Sequence, residues 1–369
     1  MKKITVITYG YPNSLTPTSC PFLRELVEQW RCSGYIVKVI NPLPKRIAQK
    51  GKKINFHQDD DFPLYDDLRW MKAIPYLRHY QVIKAEQNFI KSVERSFDES
   101  TDIIYAHFLN AGLVAVEIAK KFKLRAFCAF GESTLWSLEG RNKQKAVEIL
   151  NEMSGFISVS TDNTNQLINT GIGTANNIIT LPNGVDFSTF SRMNKDEARK
   201  QLNILCEDVI GIFVGHFIER KGPKRVEQAA HDIEGLKMIY IGAGEQEPND
   251  ENILFKGRVE HCEIFKYLSA ADFFVLPTQA EGCCNAIVEA LACGLPVISS
   301  NGRFNDDILD ETVSIRINPN SVEELNQAMK KLVLNPKLRN QMSIAAEKKG
   351  KLFDIKNRAS CILKFIGAE

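Results

Sequence analysis

Y-L-S-A-A-D-F-F-V-L-P-T-Q-A-E-G-C-C-N-A-I-V-E-A-L-A-C-G-L-P-V-I-S, residues 267–299, reads as strand, loop, helix and strand within one βαβ unit. D-F-F-V-L-P (272–277) is a short apolar run suited to a buried strand. A helix over Ala286–Cys293 is stopped by Gly294, and P-V-I-S-S (296–300) forms the next strand. Two carboxylates interrupt this apolar stretch, Glu281 just ahead of the helix and Glu289 inside it. If the helix begins near Cys284, then Gly282 and Cys283 form its entrance, where unpaired N–H groups offer a seat for phosphate. Glu289 then lies up to ~12 Å beyond Glu281, at 1.5 Å per residue. That span suits the sugar and ribose ends of a sugar nucleotide.

The alternation extends outward in both directions. Strands are expected at 4–9, 36–40, 103–108, 126–130 and 155–160, with helices at about 21–33, 81–96, 112–121 and 143–152. After a turn at Pro182-Asn183-Gly184 it restarts, with strands at 211–215, 238–242, 253–257, 272–277 and 296–300. Two successive runs predict two parallel-sheet α/β domains. Ligands of such sheets bind beyond the carboxyl ends of the strands. The residues there are Gly10, His107, Gly131-Glu132-Ser133, Gly215-His216, Gly242-Ala243-Gly244 and Gly257-Arg258. G-H-F-I-E-R-K-G (215–222) also delivers Arg220 and Lys221 to a strand end, where cations can neutralise a leaving diphosphate.

A length of 369 residues favours two domains over one core, and a net charge of +2 argues against a dedicated nucleic-acid binder. The charge is uneven, +5 over residues 1–180 and −3 over 181–369. A basic front half suits an anionic or membrane-surface partner. Nine cysteines without metal-ligand spacing predict a reducing compartment. The apolar run after Met1-Lys2-Lys3 is too short for a signal peptide, and no segment reaches the ~20 apolar residues of a membrane span. The basic stretch 42–53, the acidic run 57–63 and the aromatic-cationic run 69–80 read as a solvated insertion, or else as a patch for anionic headgroups.

Three features invite other readings. Asp59-Asp60-Asp61 satisfies a D-x-D metal pattern, but no apolar strand precedes it, and a solvated acidic loop is expected. Gly242-Ala243-Gly244 lacks the third glycine of a dinucleotide fingerprint. Cys283-Cys284 read as free thiols packed at a helix start.

The stretches S-V-S (158–160), L-P-N-G-V-D-F-S-T-F (181–190), F-V-G-H-F-I-E-R-K-G (213–222), I-G-A-G (241–244), F-K-G-R-V (255–259) and 267–299 resemble, in order and spacing, the retaining glycosyltransferases of family 4. Residues 1–154 resemble them through the first strand and loop and Y-A-H-F (105–108). The resemblance implies the GT-B fold, two facing Rossmann-like domains with a cleft between them. Residues 1–183 would bind the acceptor and 184–352 the nucleotide-sugar, with 353–369 a helix crossing back to the first domain.

By the same resemblance, Glu281 and His107 are the catalytic pair beside the donor sugar. Arg220, Lys221, Gly215, Cys283, Cys284 and Asn285 hold the diphosphate, Glu289 the ribose, and Arg258 and Val259 the nucleobase. Gly10, Glu132 and His216 are further candidates. The chain departs from the family at His216, where arginine is frequent, in the loop 10–20, and at F-N-D-D-I-L (304–309). The implied activity is retaining, metal-independent hexosyl transfer from a UDP- or GDP-sugar, UDP favoured, without a cofactor. The acceptor would be a glycan or lipid-linked saccharide of bacterial surface polysaccharide synthesis. The chain would be cytoplasmic or peripheral on the cytosolic face of the inner membrane. A non-catalytic sugar-nucleotide-binding subunit and a GT-B epimerase are the alternatives.

Overall fold

The computed structural model describes residues 2–17, 19–47, 58–68 and 78–368. The chain divides into two compact units, Met1–Leu181 with Lys356–Glu369, and Pro182–Ile355. In each, short Val, Ile and Phe runs become parallel strands buried on both faces, and amphipathic or apolar segments become the helices that cover them.

The strands of the first unit are β1 (Lys3–Thr8), β2 (Ile36–Ile40), β3 (Leu43–Pro44), β4 (Asp60–Asp61), β5 (Leu64–Tyr65), β6 (Ile103–His107), β7 (Arg125–Phe130), β8 (Gly155–Ser158) and β9 (Ile178–Thr180). Its helices are α1 (Pro21–Cys32), α2 (Arg78–Ser96), α3 (Leu109–Phe122), α4 (Lys143–Leu150) and α5 (Thr161–Thr170). The main sheet runs β4-β2-β1-β6-β7-β8-β9, and β3 pairs with β5 apart from it. The order reverses between β1 and β6, which pair in register from Ile4↔Ile103 to Thr8↔His107. Both strands therefore end level at the switch point, where such sheets carry ligands. Helix α3 is buried along most of its length, from Leu109 through Val114 to Ile118, because it packs on β6 and β7.

The expected solvated acidic loop is overturned. Asp60 is buried in β4 and pairs with Arg31 of α1 at 2.7 Å, because β4 lies against β2 and an unpaired carboxylate there would be costly. The flanking stretch is structured too, with Leu43 and Phe62 buried and Arg46 paired to Asp67 at 2.6 Å. Half of the basic run, 48–53, and most of the aromatic-cationic run, 69–77, lie outside the described residues.

In the second unit the strands are β10 (Val209–Val214), β11 (Leu236–Ile241), β12 (Ile253–Gly257), β13 (Phe273–Leu276), β14 (Val297–Ser300) and β15 (Ser314–Ile317). The helices are α6 (Lys195–Gln201), α7 (Pro223–Ala230), α8 (Ile264–Ala270), α9 (Asn285–Ala292), α10 (Val322–Leu334) and α11 (Pro336–Gly350). Strand order is β12-β11-β10-β13-β14-β15, all parallel, and it reverses between β10 and β13. The sequence reading ended this sheet at residue 300; β15 extends it by one strand.

Helix α12 (Ile355–Ile366) lies almost wholly in the first unit. Trp30 Nε1 donates to the Ala359 carbonyl at 3.2 Å, and Phe365 meets Phe127 edge-on at 5.8 Å. Arg358 donates to the Leu181 carbonyl and Lys2 to that of Gly367.

Candidate active site

The loops after β10 and β13 flank the switch point of the second sheet. The first of them, residues 215–222, is pressed against the loop after β11. Gly215 N donates to Ile241 O at 2.9 Å, Phe217 N to Ala243 O at 2.9 Å, and Gln246 N to Phe217 O at 2.8 Å. A Cβ on Gly242 would stand 1.9 Å from Gly215 O, and one on Gly244 2.3 Å from Phe217 O. The G-A-G triplet is thus a packing requirement of the loop. Gly222, at φ +75°, ends that loop, and Pro223 opens α7.

Arg220 and Lys221 converge on Glu281 from the loop after β13. Oε1 of Glu281 accepts from Arg220 Nη1 at 3.0 Å and from Thr278 Oγ1 at 2.8 Å, and lies 2.5 Å from Lys221 Nζ. Gln279 N donates to Arg220 O at 2.9 Å, tying the two loops together. Burial works against the Lys221 ammonium, but the Cys284 sulfur and the Glu281 carboxylate outweigh it and hold its pKa above the ordinary value. Two cations on one carboxylate leave a positive surplus, suited to an incoming diphosphate.

Helix α9 begins at Asn285 with Cys284 as its N-cap, which makes no side-chain capping bond. Cys283 and Cys284 are buried and neither forms a disulfide among the described residues, and burial pushes the Cys284 thiol up to about 11. Asn183 fastens this entrance: its Nδ2 donates to Asn285 Oδ1 at 2.7 Å and to Cys283 O at 3.2 Å. Glu289 is buried in α9, and its Oε1 lies 3.0 Å from His261 Nε2. The His261 ring rests on Phe190, centroids 5.0 Å apart. Asn183 and His261 were not read as site residues. The signals were available, since Asn183 belongs to L-P-N-G and His261 follows the R-V pair at one residue's remove.

Arg258 and Val259, directly after β12, line a cavity of about 600 Å³ with Phe255, Tyr267, Lys266 and Glu263. The Phe255 and Tyr267 rings are 4.9 Å apart. His216 is exposed on the loop after β10.

The first unit holds the remaining candidates on its carboxyl edge. His107 is buried among Phe22, Tyr105 and Phe108. Neither of its ring nitrogens has a hydrogen-bond partner among the described residues. Burial, with the charge of Arg358 reinforcing it, lowers its pKa to about 3, so the ring is neutral. Gly10 N donates to Thr8 Oγ1 at 3.1 Å, and a Cβ there would meet Cys20 Sγ at 2.9 Å. Glu132, after β7, is buried; Ser137 Oγ donates to its Oε1 at 2.5 Å, and Oε2 has no hydrogen-bond partner among the described residues. Burial raises its pKa to about 7 against the hydrogen bonds it accepts.

Among the described residues no group of three or more His, Cys, Asp or Glu is placed to hold a metal ion, and no helix is long and apolar enough to cross a membrane.

Comparison with known proteins finds similarity to glycosyltransferases. Residues 194–349 match the family model of glycosyl transferases group 1. The chain is 24% identical over 347 residues to the putative teichuronic acid biosynthesis glycosyltransferase TuaC of Bacillus subtilis, covering 89% of this chain and 88% of that protein. It is 23% identical over 344 residues to the capsular polysaccharide biosynthesis glycosyltransferase CapM of Staphylococcus aureus, covering 87% and 86%. Among solved structures, sucrose-phosphate synthase from Thermosynechococcus elongatus superposes with a TM-score of 0.78 at 17% identity over the whole of both chains. Anabaena HepE in complex with UDP-glucose superposes with 0.74 at 17% identity, again over both chains in full. The fold is GT-B, as the motifs implied.

Proposed function

We propose that this chain, which has the GT-B glycosyltransferase fold and matches the group 1 model over most of its second unit, moves a hexosyl unit from a nucleotide-sugar to a saccharide acceptor with retention. The observation that carries this reading is the sharing of Arg220 and Lys221 with Glu281 at the switch point of the second sheet. An arriving diphosphate competes with Glu281 for both cations. Their transfer to the phosphates releases the carboxylate towards the sugar, where it positions hydroxyls and steadies positive charge developing at the anomeric carbon.

The bond from the anomeric carbon to the β-phosphate oxygen breaks, with its electron pair leaving on the phosphate. The acceptor oxygen bonds to the same face of that carbon, and its proton passes to the departing phosphate. Arg220, Lys221 and the N–H groups at the start of α9 meet the charge of the leaving group. Glu289, held by His261, takes the ribose diol, and the backbone at Arg258 and Val259 takes the base. In the first unit, neutral His107 is assigned to sugar hydroxyls.

UDP is favoured as the nucleotide, and no metal or cofactor enters this scheme. A glycan or lipid-linked saccharide of bacterial surface polysaccharide synthesis is the acceptor, a reading supported by the names of TuaC and CapM. The basic front half supports work at the cytosolic face of a membrane.

Glu281→Ala tests the central role. Its transfer rate falls by roughly 10²–10³-fold. UDP at a hundred times its dissociation constant still raises the melting temperature, an effect worth about 2.7 kcal/mol. A variant with full transfer activity removes Glu281 from the mechanism.

A further inference from the structure

The turn after β7 holds an exposed indole on a tightly tied backbone. Trp136 is 45% exposed, while its neighbours Ser137 and Leu138 are buried. Leu138 N donates to Leu135 O and Glu139 N to Trp136 O, both at 3.0 Å, forming one short 3₁₀ turn. Ser137 Oγ anchors that turn to buried Glu132, and Arg141 Nε donates to Ser137 O at 3.1 Å. Arg141 is itself paired to Glu86 of α2, and Asn163 of α5 donates to Glu132 O at 3.0 Å. Helices α2 and α5 thus help to fix a turn whose largest side chain stays nearly half exposed.

The position of the turn narrows what that side chain is for. β7 lies beside β6, with Ala106↔Cys128 and His107↔Ala129 in register, so the turn opens on the carboxyl edge next to the switch point. Ser133, Thr134 and Glu139 belong to the same segment, and none of them is buried. An exposed aromatic side chain on a fixed turn whose sequence also carries two hydroxyls and a carboxylate suits a sugar ring, apolar on its C–H face and rimmed by hydroxyls. The carboxylate speaks against a phosphate-rich ligand.

We propose that this turn seats a sugar ring of the acceptor, with Trp136 stacked on its C–H face and Ser133, Thr134 and Glu139 at its hydroxyl rim. The proposal rests on the transferase reading above and adds where the acceptor is gripped. Glu132 and Ser137 are positioning residues, acting through the turn.

The test incubates the full chain with labelled UDP-glucose, UDP-galactose and UDP-N-acetylglucosamine over an array of printed bacterial surface saccharides, and measures donor hydrolysis in parallel without saccharide. Trp136→Ala raises the half-saturating acceptor concentration by about tenfold. Its donor hydrolysis stays within about twofold of the wild type. Trp136→Phe keeps a ring and recovers most of the loss. Equal labelling by wild type and Trp136→Ala overturns the proposal, as does a wild type that hydrolyses donor yet labels no saccharide. Labelling that is unchanged while binding to anionic phosphatidylglycerol vesicles is lost assigns the indole to a lipid surface and also overturns it. If the wild type neither hydrolyses nor transfers any of the three sugars, the transferase reading itself falls, and the proposal with it.

Discussion

Glu132 and His107 lie on neighbouring strand ends of one sheet and oppose each other in their dependence on pH. The Glu132 carboxyl rises from an ordinary 4.5 to about 7 on folding. Between those values the folded chain holds a proton that the unfolded chain has lost, so stability falls as pH rises through 7. At 1.36 kcal/mol per unit the loss is on the order of 3 kcal/mol. His107 falls from 6.5 to about 3. There the unfolded chain holds the extra proton, so stability falls as pH drops below 6.5. Glu132→Gln keeps an acceptor for Ser137 and has no charge to bury. Urea denaturation at a series of pH values then gives a stability difference that grows in the variant's favour from pH 5 to 8. Parallel curves would mean that Glu132 stays charged in the fold.

Between elements, the loops after β10 and β11 depend on two missing side chains. A methyl on Gly242 meets the backbone carbonyl of Gly215, and no flexible group there can yield. Gly242→Ala therefore displaces the loop that carries Arg220 and Lys221. It costs about 1–3 kcal/mol of stability and weakens UDP binding by about tenfold, as read by calorimetry; unchanged UDP affinity would show that the loop tolerates the shift. The sequence made this region legible because its strands are apolar runs, Glu281, Arg220 and Lys221 follow the ends of β13 and β10, and Glu289 interrupts an apolar helix. It hid β9 and β15, which are only three and four residues long, and α5, whose polar sequence T-D-N-T-N-Q-L-I-N-T buries little beyond Asn163 and Leu167. Asp60 escaped because its partner Arg31 lies in another element, and a charge run shows its composition and not its pairing. His261 and Asn183 escaped likewise, since their partners lie 28 and about 100 residues away.

For the whole molecule, α12 decides whether the first unit is complete. Its buried face includes Ala359, Ile362, Leu363 and Ile366. Three aliphatic side chains at 1.5–3 kcal/mol each amount to about 5 kcal/mol or more, comparable to the net stability of a domain, about 5–15 kcal/mol. A chain ending at Ile355 is expected to lose the cooperative melting of the first unit in calorimetry while the second unit still melts as one transition. Two transitions in the truncated chain would show that α12 is dispensable.

The return of α12 also bears on how the protein is made. Residues of the first unit up to Leu181 are made before the second unit, yet that unit closes only with residues that follow the entire second unit. At roughly 5–20 residues per second, synthesis of the stretch from Pro182 to Ile355 lasts on the order of ten to thirty seconds. Throughout that interval Trp30 and the apolar surface around it lie bare on the nascent chain, open to chaperones and to neighbouring chains.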